Sequence, residues 1–221
     1  MLTYLKLFLI ALYTLICSII AIILAVVDRS FILYFKFSKV YSKGILIISG
    51  IKLEISGLEN FDKRATYIFV SNHSSQFDIT ALQYAVPNKN GMIFKKELFK
   101  IPFFGWQLRM GPYVMIDRSN AESALKSIER AKEKMKRLNL SQIVFPEGTR
   151  SKTGEVRSFK RGAFYIAVHG GFPIIPVSIS GANKILPKGK LKINPGTIKV
   201  HFDKPVSTEN VKNRKDELEL M

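Results

Sequence analysis

The side chains best suited to acid–base chemistry lie in the segment Asn-His-Ser-Ser-Gln-Phe-Asp at 72–78. A histidine can accept a proton near neutral pH, and a neighbouring carboxylate can fix its tautomer and stabilise its protonated form. His73 and Asp78 are five positions apart, and on a regular helix they would point about 140° away from each other. They can meet if the histidine lies in a turn and the aspartate in the first turn of a helix. In the alternative interpretation, Asn72 or Ser74 caps that helix and the histidine is merely nearby.

The residues on either side predict such a turn. The segment 66–71 is a run of apolar, β-branched and aromatic residues, which is typical of a buried strand. A polar cluster then interrupts the run, and an apolar stretch resumes at Ile79. This order predicts a strand, a tight turn and a helix. In open α/β sheets, reactive groups gather at the carboxyl ends of strands, which is where the predicted turn lies.

Three further segments lie at or next to predicted strands. The first runs from Lys95 to Arg118. The second is Val-Phe-Pro-Glu-Gly-Thr-Arg-Ser at 144–151, and the third is Pro-Ile-Ile-Pro-Val at 173–177. Because these segments lie near predicted strand ends, a parallel sheet can bring them to the same edge.

Together and in this order, the four segments resemble those of the phospholipid acyltransferases typified by 1-acyl-glycerol-3-phosphate acyltransferase. The spacing of His73 and Asp78 is a weak signal by itself, whereas Phe-Pro-Glu-Gly-Thr-Arg at 145–150 is much more specific. The resemblance covers the chain from about Gly50 to Phe202. The sequence departs from the family pattern at Tyr113, where a smaller or apolar residue is common. Its N-terminal half is also short, which bears on the selection of acyl-chain length.

The resemblance implies transfer of a fatty acyl group from a thioester, either acyl-CoA or acyl carrier protein, to the sn-2 hydroxyl of lysophosphatidic acid. The product is phosphatidic acid. An unactivated hydroxyl is a poor nucleophile, so His73 would accept its proton and Asp78 would orient the imidazole. The hydroxyl attacks the thioester directly, so no serine or cysteine nucleophile is expected. Neither a metal nor a cofactor is expected, and the acyl donor is a co-substrate.

The phosphate of the acceptor requires cations, and the resemblance assigns this role to Arg150 and Lys95. Arginine offers a bidentate fork and lysine a point charge. Glu147 fits the binding of an acceptor hydroxyl or the positioning of Arg150, and Gly148 permits a close approach of the backbone. The predicted substrate-binding residues are Lys95, Arg118, Glu147, Gly148, Thr149 and Arg150.

The formal net charge of +17 over 221 residues makes nucleic acid and anionic membrane surfaces candidate partners. The sequence has no zinc-ligand spacing and no RNP-like motif, which argues against nucleic acid. Its single cysteine, Cys17, excludes an intrachain disulfide and a cysteine-based metal site. Two alternatives stay open. One is the same chemistry on another lysolipid such as a lyso-ornithine lipid, and the other is a non-catalytic basic protein bound to a membrane surface.

The segment 2–27 carries one charged residue and would form a helix about 39 Å long, which exceeds the roughly 30 Å hydrocarbon core of a bilayer. A cleaved signal peptide fits poorly, because the apolar run is long and its basic start is weak. The segment 31–48 is apolar but punctuated by lysines, which is typical of an amphipathic interfacial helix. The pair would hold the chain at the cell membrane with its catalytic domain on the cytoplasmic face. It could form a hairpin in one leaflet, or the first helix could span.

Strands alternate with helices through the rest of the chain, which predicts an α/β fold with a mostly parallel sheet flanked by helices. The expected strands lie at 51–56, 66–71, 91–94, 113–116, 143–145, 174–179 and 197–202. Helices are expected at 79–85 and 159–168, and after a capping box at 119–122. We therefore divide the chain into a two-helix membrane anchor at 1–49 and an acyltransferase domain at 50–221.

Overall fold

The computed structural model describes residues 2–116 and 121–211. The helices are α1 (Leu2–Val27), α2 (Ile32–Ser49), α3 (Phe77–Ala85), α4 (Phe104–Met110), α5 (Ala121–Leu138), α6 (Gly162–Gly170) and α7 (Ala182–Ile185). The strands are β1 (Ile51–Ser56), β2 (Ile68–Ser71), β3 (Asn90–Lys95), β4 (Val114–Ile116), β5 (Ser141–Val144), β6 (Ile174–Ser180) and β7 (Gly196–Phe202). A 3₁₀ helix (Lys96–Lys100) follows β3 directly. The strands lie where the sequence predicts them, to within a few residues.

The strands form one seven-stranded sheet in the order β1-β7-β6-β2-β5-β3-β4. Within the described chain, β6 and β7 are the one antiparallel pair, and the five other neighbouring pairs are parallel. The predicted α/β fold with a mostly parallel sheet is therefore confirmed. Parallel neighbours end at the same edge of a sheet, so the loops that follow β2, β5 and β3 lie side by side.

Alternate residues of β2 divide the core into two layers, because successive side chains of a strand point to opposite faces. Phe69 packs on the face covered by α2 and α3, together with Leu82. Ile68 and Val70 pack on the other face, against residues of α5 and α6 such as Phe164. All four residues of β2 are buried, which explains its uninterrupted apolar sequence.

The helices α1 and α2 form an antiparallel pair that packs against the α3 face of the sheet. The ammonium of Lys6 donates a hydrogen bond to the Ser49 carbonyl at 2.8 Å, near one end of the pair. Ile45 and Leu46 of α2 are each 4% exposed and belong to the same core as Phe69. Thus α2 packs onto the seven-stranded sheet itself, and the division into an anchor at 1–49 and a domain at 50–221 stays a prediction.

Within the described ranges, α1 is the one helix long and apolar enough to cross a membrane, and most of its apolar residues are exposed. Length and composition alone do not distinguish a spanning helix from one that lies within a leaflet. The choice between these two arrangements depends on what α1 contacts.

Some elements differ from the predictions or fall outside the described residues. The 3₁₀ helix, α4 and α7 are not expected from the sequence, because each is too short to show a helical period. The predicted capping box at 119–122 is only partly described.

Candidate active site

His73 and Asp78 are in contact, across the junction between a loop and a helix. His73 lies in the loop between β2 and α3, and Asp78 is the second residue of α3. The Nδ1 atom of His73 is 3.0 Å from Oδ2 of Asp78. The His73 side chain is 12% exposed and that of Asp78 is fully buried. The imidazole therefore keeps one edge open to a substrate while its carboxylate partner is shielded from water.

The Asp78 carboxylate is also held by the loop that carries the histidine. Its Oδ2 atom accepts hydrogen bonds from the backbone N–H groups of Ser74 and Ser75, at 2.6 and 2.7 Å. An anion is also favoured in the first turn of a helix, where backbone N–H groups are unpaired. Its Oδ1 atom is buried and has no hydrogen-bond partner among the described residues. The oxygen that contacts His73 thus accepts two backbone hydrogen bonds as well, and the other oxygen accepts none from the described residues.

The capping interpretation does not describe this turn. The side chain of Asn72 exchanges two hydrogen bonds with the backbone of Ile179, at 2.9 and 2.8 Å, and so ties the end of β2 to β6. The residue at the N-cap of α3 is Gln76, and its side chain makes no capping hydrogen bond. Ser74 contributes its backbone N–H to Asp78. The polar cluster therefore shapes the loop around the His73–Asp78 pair.

The loop that follows β5 clamps the backbone of His73 from both sides. The Oε1 atom of Glu147 accepts the His73 N–H at 2.8 Å, and the Ser151 N–H donates to the His73 carbonyl at 2.7 Å. The ring of Phe145 stacks on the imidazole, with centroids 4.0 Å apart and planes 19° apart. Glu147 is 3% exposed. The sequence predicts that Glu147 binds an acceptor hydroxyl or positions Arg150. Neither prediction includes this contact with the His73 backbone.

Gly148 sits in a backbone conformation that other residues avoid. Its φ angle is +71°, in the left-handed region, and an added Cβ would lie 3.2 Å from the Lys160 side chain. The N–H of Lys160 also donates to the Pro146 carbonyl at 2.9 Å. The glycine therefore lets the chain turn sharply at this point, between the residue that holds His73 and the predicted phosphate ligand Arg150.

Lys188 is a cation at this loop that the sequence reasoning missed. Its ammonium donates to the hydroxyl of Thr149 at 3.0 Å and to the carbonyl of Arg150 at 2.7 Å. The neighbouring Leu186 carbonyl accepts a hydrogen bond from the Ser75 hydroxyl at 2.9 Å. The segment 186–188 thus links the His73 loop to the Arg150 loop. The one local signal is a turn pattern, since Lys188 stands between a proline and a glycine.

The other two predicted cations are described less fully. Lys95 is the last residue of β3, and its side chain lies outside what the structure describes. Met92 pairs with Ile143 of β5, so β3 ends at the level where β5 gives way to the 145–151 loop. Lys95 itself lies beyond this register, in the part of β3 that pairs with β4. Arg118 lies outside the described residues.

A cavity of about 590 Å³ lies between the N-terminal helices and the rest of the fold, within the size range of small-molecule sites. Its walls come from α1, α2, α3, the 3₁₀ helix and α4, and most of the lining side chains are apolar. Gln76 and Phe77, next to Asp78, line one end, and Gln83 lies two helical turns further along α3. Tyr113 lines the wall as well, and burial raises the pKa of its hydroxyl, which therefore stays protonated. The cavity thus begins beside the His73–Asp78 pair and extends away from it.

Over the described ranges 2–116 and 121–211, no group of three or more histidine, cysteine, aspartate or glutamate side chains could hold a metal ion. Cys17 is buried in α1. His201 lies on β7, where its Nδ1 atom is 3.0 Å from the Ser56 hydroxyl. It lies on the sheet face opposite α3 and takes no part in the His73–Asp78 contact, so it offers a control histidine.

Comparisons with known proteins show which family the chain resembles. The family model described as Acyltransferase matches residues 52–180. A 1-acyl-sn-glycerol-3-phosphate acyltransferase from Cocos nucifera is 35% identical over 179 residues, which are 81% of this chain and 58% of that protein. One from Pseudomonas aeruginosa is 33% identical, with 70% of this chain and 59% of that protein covered. The chain therefore spans a little under three fifths of the length of these curated relatives.

The fold resembles a solved structure over nearly its whole length. The crystal structure of a 1-acyl-sn-glycerophosphate (LPA) acyltransferase, PlsC, from Thermotoga maritima matches with a TM-score of 0.82 and 30% identity. The match covers 99% of this chain and 89% of that one. The family model, which covers more than half of the chain, and the shared fold lead to one conclusion. This chain belongs to the acyltransferase family.

Proposed function

We propose that this protein transfers a fatty acyl group from an acyl thioester to the sn-2 hydroxyl of 1-acyl-sn-glycerol 3-phosphate, giving phosphatidic acid. The observation that carries the proposal is the His73–Asp78 contact at 3.0 Å, with the loop of the Glu-Gly-Thr-Arg motif clamped onto His73. The names of the relatives support the same substrate class.

The chemistry follows from the orientation of the imidazole. With Nδ1 donating to the Asp78 carboxylate, Nε2 of His73 is left as the basic nitrogen. The acceptor hydroxyl loses its proton to Nε2 as its oxygen attacks the thioester carbonyl carbon. The tetrahedral intermediate then breaks its C–S bond, and the imidazolium returns the proton to the leaving thiolate. Asp78 stabilises the imidazolium throughout these steps.

The phosphate of the acceptor would bind beside this base. Arg150 stands three residues after Glu147, whose carboxylate holds the His73 backbone. Lys188 fixes the Arg150 carbonyl, and Lys95 ends the neighbouring strand β3. A dianionic phosphate suits such a group of cations, and each charge-assisted contact contributes about 1.5–3 kcal/mol. Glu147, already bound to His73, would act by positioning this loop.

The apolar cavity would take an acyl chain. It begins at Gln76 and Phe77, the residues immediately before Asp78, so a chain inside it would have its carbonyl end near His73. From Gln76 to Gln83 the wall runs about 10 Å along α3 at the helical rise of 1.5 Å per residue. The acyl donor would be acyl-CoA or acyl carrier protein. Both are acidic, which suits the net charge of +17.

We also propose that the protein works at the cell membrane, with this site on the cytoplasmic face. The exposed apolar residues of α1 need lipid rather than water around them, and the basic character of the chain suits the cytoplasmic side. Because its lysolipid acceptor is itself a membrane component, the attachment keeps the site where that substrate is concentrated.

The test is turnover by purified protein across a panel of acceptors and donors. The expected best acceptor is lysophosphatidic acid, and a lyso-ornithine lipid and monoacylglycerol are the comparisons. His73→Ala should reduce turnover by roughly 10²–10⁴-fold, the usual contribution of a general base. His201→Ala, the matched control, should retain it. A preference for lyso-ornithine lipid would move the assignment to that acceptor. Equal turnover by His73→Ala would remove this residue from the mechanism.

A further inference from the structure

A cluster of large apolar side chains stands exposed on and just before α4. Ile101, Phe103, Trp106 and Met110 are 45%, 38%, 46% and 36% exposed. The rings of Phe103 and Trp106 are in contact, with centroids 4.9 Å apart. We call these four residues the α4 surface. Single exposed apolar residues are common, but a contiguous cluster that contains a tryptophan marks an interaction site.

The backbone is distorted in a way that keeps this surface exposed. Phe103 has a φ of +58°, which is unfavourable for a bulky residue. At Gly105 an added Cβ would lie 2.4 Å from the carbonyl oxygen of Phe99, so α4 packs onto the 3₁₀ helix at a distance that only glycine allows. Strained backbone persists where the surrounding structure over-determines it and is concentrated at functional sites. Here it presents two aromatic rings to the outside.

The α4 surface is continuous with the apolar face of α1. The two helices pack against each other. Exposed residues of α1 recur along its length, and they include Leu5, Leu12, Ile19 and Val26. Their spacing of seven residues keeps them on one side of the helix. The two exposed surfaces therefore form one larger apolar region rather than two separate patches.

The chemistry of this region fits the interface of a lipid leaflet. Tryptophan and phenylalanine favour the boundary between headgroups and acyl chains. Lys100 and Arg109 are exposed beside the cluster, where they can meet anionic headgroups. We propose that the α4 surface inserts into the same membrane leaflet as α1, as a second point of membrane contact. The proposal rests on the membrane location proposed above, but not on which lipid is acylated.

The attachments of α1 explain why both surfaces would share one leaflet. At one end of α1, the Lys6 ammonium binds the Ser49 carbonyl; in the middle, the Tyr13 hydroxyl binds the Val40 carbonyl at 3.1 Å. At the other end, Ala25 is fully buried in a cluster with Phe31. α1 is therefore held along α2 over its whole length, and α2 is packed on the core. One side of α1 is therefore covered by protein, and only its exposed side can face lipid. The α4 surface would face the same leaflet.

Trp106 is the single tryptophan of the chain, so its fluorescence reports on the α4 surface alone. The full-length protein is reconstituted into vesicles of phosphatidylcholine and phosphatidylglycerol, with or without lipids brominated on their acyl chains. Bromine quenches only a tryptophan that reaches the acyl region. The expected result is a loss of at least half of the Trp106 emission with brominated lipid, and quenching by aqueous acrylamide several-fold weaker than for free tryptophan.

A tryptophan placed on a different surface of the protein gives the matched control. Val156 is 62% exposed and lies on the α6 face of the sheet, away from α1 and α4. In a Trp106→Phe background, Val156→Trp should show the opposite pattern, with strong quenching by acrylamide and none by brominated lipid. Met110→Asp, one turn from Trp106, should reduce bromine quenching of Trp106 while the thermal midpoint stays within a few degrees.

Several outcomes would overturn the proposal. If the protein sediments with vesicles but Trp106 fluorescence is quenched by acrylamide and not by brominated lipid, α1 alone attaches the protein to the membrane. If Trp106 is shielded from both quenchers, a protein partner or a second copy covers the α4 surface. If the protein does not sediment with vesicles at all, the membrane location itself is wrong. Turnover measured in detergent on the same preparations separates each of these results from failure of the acyltransferase assignment.

Discussion

Replacing Asp78 by asparagine removes a charge from the site while leaving its shape almost unchanged. In the native structure Oδ2 accepts three hydrogen bonds, from His73 and from two backbone N–H groups, whereas Oδ1 is buried without a partner among the described residues. An asparagine amide therefore has one favourable orientation. Its oxygen takes the position with three donors, and its NH₂ takes the unoccupied one. The imidazole should keep its orientation, so the variant isolates the effect of the charge.

The magnitude follows from the 3.0 Å contact between His73 and Asp78. Two opposite charges about 4 Å apart interact by about 4 kcal/mol at an effective dielectric constant of 20. This attraction is gained only when His73 becomes an imidazolium, which is during the reaction. Each 1.36 kcal/mol corresponds to a factor of ten in rate, so the full loss would be roughly 10³-fold. The amide oxygen still accepts a neutral hydrogen bond worth about 1 kcal/mol, so we expect kcat to fall by roughly 10²–10³-fold.

The assay is the initial rate of phosphatidic acid formation by detergent-purified protein, at saturating donor and acceptor. Asp203→Asn is the matched control, because Asp203 lines a pocket on the α6 face of the sheet, opposite the face that α3 covers. We expect it to behave like the wild type. Thermal unfolding of both variants checks that the fold is retained. A kcat for Asp78→Asn within threefold of the wild type, with the fold intact, would refute the ion-pair argument.

The remaining predictions concern the acceptor loop and the N-terminal helices. Arg150→Ala should lower kcat/KM for lysophosphatidic acid by roughly 10–100-fold and leave monoacylglycerol turnover little changed, with partial recovery in Arg150→Lys because the fork is lost. An equal loss with both acceptors would contradict the phosphate role. Gly148→Ala should lower the free energy of unfolding by about 1–2 kcal/mol in chemical denaturation, since φ is +71° there. Lys188→Met should raise KM for lysophosphatidic acid about tenfold, with kcat nearly unchanged, because the charge-assisted hydrogen bonds to the Thr149 hydroxyl and the Arg150 carbonyl are lost. A fall in kcat alone would oppose this. Deleting residues 1–49 removes Ile45 and Leu46 and exposes the core residues that they cover. Exposure costs about 1.5–3 kcal/mol of stability per large apolar side chain. The truncated protein should therefore aggregate in size-exclusion chromatography rather than elute as a soluble monomer.

The sheet could be predicted from the sequence because its strands are buried on both faces. A strand such as β2, with all four residues buried, leaves a short apolar run that ends in a polar turn. The His73–Asp78 contact could also be anticipated, since a strand, a turn and a helix follow one another within a few residues. Local sequence specifies both features. The order of the strands and the antiparallel pairing of β6 with β7 are set by long-range packing, so the local sequence pattern does not predict them.

The features that the sequence did not predict depend on contacts between distant segments. Lys188 lies 38 residues from the Arg150 carbonyl that it holds, and nothing in its neighbourhood indicates that partner. The helix α4 is not predicted for a different reason. Trp106 and Met110 of this helix are exposed, and its position is set by a close approach of Gly105 to the Phe99 carbonyl. Hydrophobic periodicity identifies helices whose apolar residues face a core, so it does not predict a short helix with exposed apolar residues.

The sheet topology couples the proposed base to the proposed phosphate site. The strands β2 and β5 are parallel neighbours, with Val70 opposite Val144, so the loops that follow them begin side by side. Glu147 and Ser151 then bind the two backbone groups of His73, and Arg150 lies between these two contacts in the chain. The position of the base relative to the Arg150 backbone is therefore set by the same hydrogen bonds that hold the loop. A substitution that loosens this clamp, such as Glu147→Ala, should impair the base and the phosphate site together, whereas Asp78→Asn should affect only the base.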